Sequence, residues 1–302
     1  MDFKSKIILI SGPTASGKSN FAIKLAKKIN GEIINADSMQ VYKELKILSA
    51  RPKVKSYQKI KHHLYGFQNI KKNFSTGDWL KLTTKKIKEI KKRKKIPILV
   101  GGTGLYFKAI LDGLVNIPNI PMRFRIKIRS LHKDLGQKNF YKKLLILDPK
   151  SKNKINPTDS QRSIRAYEVK QFTKKSLSDW FKETKSYFKR DDFQKIYIDF
   201  PRPQLIERIN TRTDQMIRDG AINEVKRFIK LNISKDKTGN KAIGVAEIKK
   251  YLNNEKDLNE TKEEISIKTR QYAKRQSTWA RSNMTSWLKL SPKDVNIFLK
   301  KI

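Results

Sequence analysis

The stretch Gly12-Pro13-Thr14-Ala15-Ser16-Gly17-Lys18-Ser19 gathers the residue types that hold phosphate oxygens. Glycines let the backbone curl until successive N–H groups point at one anion, and a helix starting behind the turn adds the positive end of its dipole. In such a turn Lys18 reaches terminal phosphate oxygens, and the Ser19 hydroxyl is placed to ligate a Mg²⁺ ion that bridges two phosphates. A carboxylate, Asp37, ends the next apolar run, with Ser38, Met39 and Gln40 after it. There it serves as a magnesium ligand, a general base or an N-cap for the segment after it. A second glycine turn, Gly101-Gly102-Thr103-Gly104, carries Thr103 as its only hydroxyl and brings backbone close to the same crevice. By itself that pattern is common between strand and helix.

These residues need strands to present them. Ile7 to Ile10 reads as a buried strand, followed after the turn by a helix with Phe21, Ala22, Leu25, Ala26 and Ile29 on one face and Gly31 as its stop. Glu32 to Ala36 and Ile96 to Val100 read as further strands, and a helix follows Gly77-Asp78-Trp79. Another helix is expected after Arg51-Pro52. In open α/β sheets, ligands lie at the C-terminal ends of strands, so Asp37 and the phosphate turn should share one edge. His62 and His63 point to opposite faces of a strand and make a poor metal pair. The expected class is α/β: a P-loop NTPase-like core with a parallel sheet, 1–116 and 195–302, and a helical insertion, 117–194. Within the insertion, Asp159 or Ser160 caps a helix carrying Gln161 and Arg165 one turn apart. The C-terminal third reads as helical. Pro203 to Asp219 is one helix, a loop follows at 235–240, and Thr261-Lys262-Glu263-Glu264 forms a capping box before a long helix. On that helix Arg270, Lys274 and Arg281 form a stripe, with Arg275, Gln276 and Trp279 beside it.

Composition narrows the partner. The 302 residues carry 69 Lys+Arg against 28 Asp+Glu, a formal charge of +41. Such an excess is the footprint of a polyanion, most often nucleic acid. Codon bias toward A and T, which enriches Lys, Ile and Asn, competes as an explanation. With no cysteine there is no disulfide, thiolate zinc site or thiol nucleophile. Apolar runs are strand-sized, well short of a membrane span, and no signal peptide is legible, so a cytoplasmic protein is expected, a monomer by default.

Taken together, the motifs resemble the tRNA dimethylallyltransferases, also called tRNA isopentenyltransferases. The matching stretches are GPTASGKS at 12–19, DSMQVY at 37–42, HHL at 62–64, GGTGLY at 101–106, QRSIRAYEV at 161–169 and KRQSTWAR at 274–281. The resemblance implies transfer of a dimethylallyl group from dimethylallyl diphosphate to the exocyclic amine of the adenosine immediately 3′ of a tRNA anticodon. The phosphate turn then holds the donor's diphosphate rather than ATP, with Lys18 and Mg²⁺ stabilising its departure. By the same resemblance Asp37 is the general base and Thr103 lies at the reacting end. Contacts to the tRNA anticodon stem-loop are implied for Asp37, Ser38, Met39, Gln40, Thr103, Arg125, Gln161, Arg162, Ser163, Ile164 and Arg165, with Arg275 and Gln276 on the last long helix.

One stretch departs from the family. Its usual Asp-Ile-Gly-Thr-Ala-Lys-Pro reads Lys46-Ile47-Leu48-Ser49-Ala50-Arg51-Pro52 here, so no metal ligand is assigned at Lys46. Lys241 to Ala246 also follows the family's Val-Gly-Tyr-Arg version only in part. Competing readings are prenylation of free adenine nucleotides, a P-loop ATPase or kinase acting on RNA, and a non-catalytic RNA-binding module.

Overall fold

The computed structural model describes residues 3, 5–234 and 237–302. The strands are β1 (Ile7–Ser11), β2 (Gly31–Asn35), β3 (His62–His63), β4 (Ile96–Gly101), β5 (Phe193–Ile198) and β6 (Leu288–Leu290). They form one six-stranded parallel sheet in the order β3-β2-β4-β1-β5-β6. The helices are α1 (Lys18–Lys28), α2 (Thr76–Lys92), α3 (Gly104–Asp112), α4 (Met122–Leu147), α5 (Ser160–Thr173), α6 (Leu177–Lys182), α7 (Arg202–Arg218), α8 (Ala221–Ile229), α9 (Val245–Leu252), α10 (Leu258–Asn283) and α11 (Pro292–Lys300). Among the described residues no helix is long and apolar enough to cross a membrane.

The central strand β1 is buried along its whole length, which is why Ile-Ile-Leu-Ile runs without polar alternation. Register decides where the loops emerge. Ser11 lies level with Gly101 and Tyr197, and Asn35 with Val100. The segments leaving β1, β2, β4 and β5 therefore open on the same edge, the one where α/β sheets take ligands. Behind β1, α1 packs Phe21, Ala22, Leu25 and Ala26 into the core, the face expected from their spacing.

Local corrections have local causes. Asn30, not Gly31, takes the left-handed position after α1 (φ 52°). Gly31 opens β2, where a Cβ would meet Ile98 Cδ1 at 2.6 Å. The segment after Pro52 makes only a single 3₁₀ turn, Val54–Tyr57, with no buried residue to hold a longer helix. The strand β6 was not foreseen; it is too short to carry a pattern. Asp257 and Glu260 form the capping box of α10, a turn before the expected one, and Thr261 is already inside the helix. Of the 235–240 loop, Lys235 and Asp236 lie outside the described residues, while Thr238–Lys241 is a 3₁₀ turn. The histidines are structural. His63 Nε2 lies 2.6 Å from the buried Glu32, which Arg93 also pairs at 2.7 Å, and His62 stacks on Tyr57 with centroids 3.7 Å apart.

The chain divides into two compact units, residues 1–111 with 188–302, and 112–187. The expected insertion, 117–194, ran late at both ends. Phe193 is already paired in β5 beside Ile7, and Phe188 stacks edge-on against it. At the other end, Gly113 lies against the Lys185 backbone, so that turn belongs with the helices. The helical unit packs Ile128, Phe140, Leu144, Ile155, Ala166 and Tyr167 between α4 and α5, and α4 breaks at Gly136 (φ 67°).

Candidate active site

The turn after β1 is built as its sequence requires. Ala15 (φ 66°) and Gly17 (φ 84°) take left-handed conformations, and Ser16 N–H closes back onto the Pro13 carbonyl at 3.2 Å. A Cβ at Gly12 would lie 2.9 Å from Ser16 Oγ and 3.0 Å from the Ile198 carbonyl, so the first glycine is fixed by close approach. The Ser16 hydroxyl is buried with no hydrogen-bond partner among the described residues. Lys18 Nζ donates to the Pro13 carbonyl at 3.2 Å. Removal from water holds its pKa down at about 8; Asp37 pulls the other way and Arg212 adds to the depression.

Asp37 lines a cavity with Thr14 of the turn, near enough for its charge to reach Lys18. The Asp37 backbone is fixed by the buried Asn35, whose Oδ1 accepts from Asp37 N–H at 2.9 Å and whose Nδ2 donates to the Asp37 carbonyl at 2.9 Å. Trp79 Nε1 in turn donates to the Asn35 carbonyl at 2.8 Å. Asp37 Oδ1 accepts from the Met39 N–H at 2.9 Å and the Gln40 N–H at 3.4 Å, the turn-capping alternative. Oδ2 takes no protein hydrogen bond among the described residues. One oxygen orients the group and the other is free. Thr103 Oγ1 accepts from Ser38 N–H at 2.9 Å, so Thr103 steadies the residue after Asp37.

Two cations went unforeseen, because in the sequence α7 reads only as a helix. Arg212 Nη2 donates to Thr14 Oγ1 at 2.8 Å. Burial first, and Arg208 next, bring its pKa down to about 10 against the pull of Asp37. Arg208 lies over the Phe200 ring and reaches the turn at Gly17, where a Cβ would sit 3.5 Å from its Nη2. The only available signal was their spacing of four residues on one helix face.

Helix α10 lies against both loops. Thr14 N–H donates to Gln276 Oε1 at 2.8 Å, and Gln276 Nε2 donates to the Gly102 carbonyl at 3.0 Å. A Cβ on Gly102 would come within 2.2 Å of Gln276 Nε2, and one on Gly104 within 2.4 Å of the Trp279 ring. The glycines at 102 and 104 thus make room for α10. Beneath the helix lie two cavities that share Ser38, Tyr272 and Arg275 in their walls. One, of about 310 Å³, holds Thr14, Asp37 and Arg212; the other, of about 260 Å³, holds Gly12, Thr103 and Trp279.

The remaining expected residues lie in the helical unit or beside the departing stretch. Asp159 caps α5, accepting from Arg162 N–H at 2.9 Å, and also pairs Arg162 Nη1 at 2.7 Å. Gln161 and Arg162 are exposed, whereas Ser163 is fully buried and accepts from Gln137 Nε2 at 3.2 Å. Ile164 packs against the unit's core. Arg125 and Arg165 are half-buried. At the departure from the family pattern, the buried Glu224 carboxylate accepts the N–H groups of Lys46, Ile47 and Leu48 at 2.8–3.0 Å. The Lys46 side chain is exposed, and Arg51 donates to the Tyr42 carbonyl at 3.0 Å.

Among the described residues no group of three or more His, Cys, Asp or Glu could cage a metal. Oxygen donors on the turn and beside it include the Ser16 and Ser19 hydroxyls and Asp37 Oδ2. These hard donors suit Mg²⁺, which keeps several waters and takes a few protein oxygens alongside phosphates.

A parallel sheet in this order, with a Gly-x-x-x-x-Gly-Lys-Ser turn behind its central strand, defines a P-loop α/β protein. The chain belongs to the IPP transferase family, whose model matches residues 40–283. It is 62% identical over 302 residues to the tRNA dimethylallyltransferase of Pelagibacter ubique, spanning 100% of this chain and 96% of that relative. The full-length tRNA isopentenylpyrophosphate transferase of Bacillus halodurans matches with a TM-score of 0.70 at 32% identity, over 98% of this chain and 95% of that one. A eukaryotic dimethylallyltransferase acting on tRNA matches with a TM-score of 0.82 at 29% identity, over 95% of this chain and 73% of that one.

Proposed function

We propose that the protein transfers a dimethylallyl group from dimethylallyl diphosphate to the exocyclic amine of the adenosine 3′-adjacent to a tRNA anticodon, releasing diphosphate. The observation that carries the reading is the free Asp37 oxygen in one cavity with Arg212 and with Thr14 of the phosphate turn, under a helix that walls two adjoining cavities. Family membership supplies the reaction; the crevice supplies groups for both halves of it.

Lys18, Arg208, Arg212 and the loop N–H groups bind the diphosphate, with the partnerless Ser16 hydroxyl as a further donor. As the allylic C–O bond breaks, negative charge grows on the leaving diphosphate, and these fixed donors stabilise it. Ser19 would hold Mg²⁺, which would supply further charge neutralisation. The amine nitrogen forms the new C–N bond and gives its proton to Asp37 Oδ2, which Oδ1 keeps aimed through its hold on the 39–40 turn. Thr103 secures Ser38 beside it. The adenine leaves the anticodon-loop stack to react, at a cost of a few kcal/mol. Phosphate contacts from Arg125, Gln161, Arg162 and Arg165 offset that cost, with Arg275 and the 37–40 segment near the base; Ser163, Ile164 and Gln276 serve by packing and bridging.

The test is incubation of purified protein with Mg²⁺, dimethylallyl diphosphate and unmodified tRNA, followed by nucleoside mass analysis. Dimethylallyl-adenosine beside the anticodon supports the reading. Product from free adenine nucleotide alone, or ATP turnover without prenylation, overturns it.

A further inference from the structure

A cluster of ionisable side chains lies inside the helical unit, away from the crevice residues in sequence. Glu168 on α5 is 3% exposed. Arg165 Nη1, on the same helix, stands 3.6 Å from its Oε2, and Arg129 Nε, on α4, stands 3.9 Å from its Oε1. Arg125 is one helical turn before Arg129. It is near enough to Arg165 for its charge to reinforce burial in lowering the pKa of that guanidinium. One enclosed carboxylate therefore answers a group of arginines that repel one another.

A buried carboxylate is costly unless it is well paired, and a purely structural pair closes into short, parallel hydrogen bonds. This one stays open. At 3.6 and 3.9 Å both contacts are longer than an ordinary hydrogen bond, so Glu168 holds these arginines chiefly by charge and leaves them donors for a further acceptor. Among the described residues the buried donor Arg125 Nε has no hydrogen-bond partner, and neither do the buried acceptors Glu168 Oε1 and Gln171 Oε1. Gathered arginines with donors in reserve match a phosphodiester, which offers acceptors only.

We infer that Glu168 is a positioning residue, whose buried carboxylate gathers Arg125, Arg129 and Arg165 into one phosphate-accepting set for the RNA substrate. The inference rests on the reading of Arg125 and Arg165 as RNA contacts. Without the negative charge the guanidiniums separate, and the RNA meets them one at a time. The effect falls on RNA binding, while the donor's diphosphate is held by residues of the other unit.

The experiment is a double-mutant cycle on the full chain, with a labelled unmodified anticodon stem-loop titrated by fluorescence anisotropy. Arg165→Ala should weaken binding about tenfold and Glu168→Gln by a similar factor, with the double variant no more than about threefold weaker than Arg165→Ala alone. Glu168→Asp, which keeps the charge, should stay within about threefold of wild type, and the KM for dimethylallyl diphosphate should not move in Glu168→Gln. Wild-type affinity in Glu168→Gln, or losses that multiply in the double variant, overturns the inference. Should Glu168→Gln melt below the assay temperature, Glu168→Asp decides, and binding as weak as Arg165→Ala overturns it. An unchanged affinity in Arg165→Ala instead refutes the parent reading of that arginine, so the two failures are told apart.

Discussion

Replacing Arg212 by Gln tests the charge arrangement of the crevice in two ways. The side chain donates to Thr14 Oγ1 and faces both Lys18 and Asp37. A hydrogen bond from a charged donor contributes about 1.5–3 kcal/mol, and the loss of one transition-state donor costs about 2.7–4 kcal/mol. Taking about 2–3 kcal/mol for a site with other cations present, kcat/KM for the donor should fall roughly 30- to 150-fold, at about 1.36 kcal/mol per decade. The second effect has a definite sign. With its pKa near 8, Lys18 in the free wild-type protein loses its proton as pH rises through about 8, and donor kcat/KM falls with it. Arg212 is one cause of that depression. In Arg212→Gln the alkaline limb should therefore move to higher pH even as the plateau drops. The assay is initial-rate prenylation of saturating tRNA from about pH 6.5 to 10, a window that brackets the Lys18 titration, at donor concentrations below KM. A plateau loss under about threefold, or a limb that stays or moves to lower pH, refutes the reasoning.

Asp37→Asn removes the proton acceptor but keeps the turn bonds of Oδ1; kcat should fall about 10²- to 10⁴-fold with stem-loop affinity nearly unchanged, measured by single turnover and anisotropy. Gly104→Ala drives a Cβ into the Trp279 ring, so α10 must shift; thermal melting should drop by about 1–3 kcal/mol equivalent and KM should rise for donor and RNA alike. Glu224→Ala strips the acceptor from the Lys46, Ile47 and Leu48 N–H groups; chemical denaturation should show a loss of about 2–4 kcal/mol, with Glu224→Gln recovering part of it.

How much of the molecule is legible in its sequence depends on where each constraint acts. The placement of residues 12–19 and of Asp37 was legible because it depends on neighbours in sequence: strand, glycine turn, helix, and a carboxylate at a strand end. Gly102 and Gly104 were legible as a turn, but their cause was not, since the side chains that need the space, Gln276 and Trp279, come more than 170 residues later. Arg208 and Arg212 were hidden for a related reason. In a chain with 69 Lys+Arg, a cation on a helix looks like solvated surface until the fold turns it inward. Gln276 was expected to meet RNA, yet its amide spans Thr14 and Gly102, a role visible only once both loops are in place. The capping box of α10 was misplaced because Thr261 and Asp257 both fit a first turn, and packing of Thr261 settled the frame.

The grip of Glu224 on the segment after Tyr42 accounts for the tolerance of that segment to an unusual composition. Because the attachment is to main-chain amides, which every residue except proline provides, the path of 46–48 is indifferent to what projects from it. Lys46 can thus project from the loop without bending the path that leads back toward the crevice. A change of charge at 46 would be met at the surface, while the path of the loop is held by a carboxylate far along the chain.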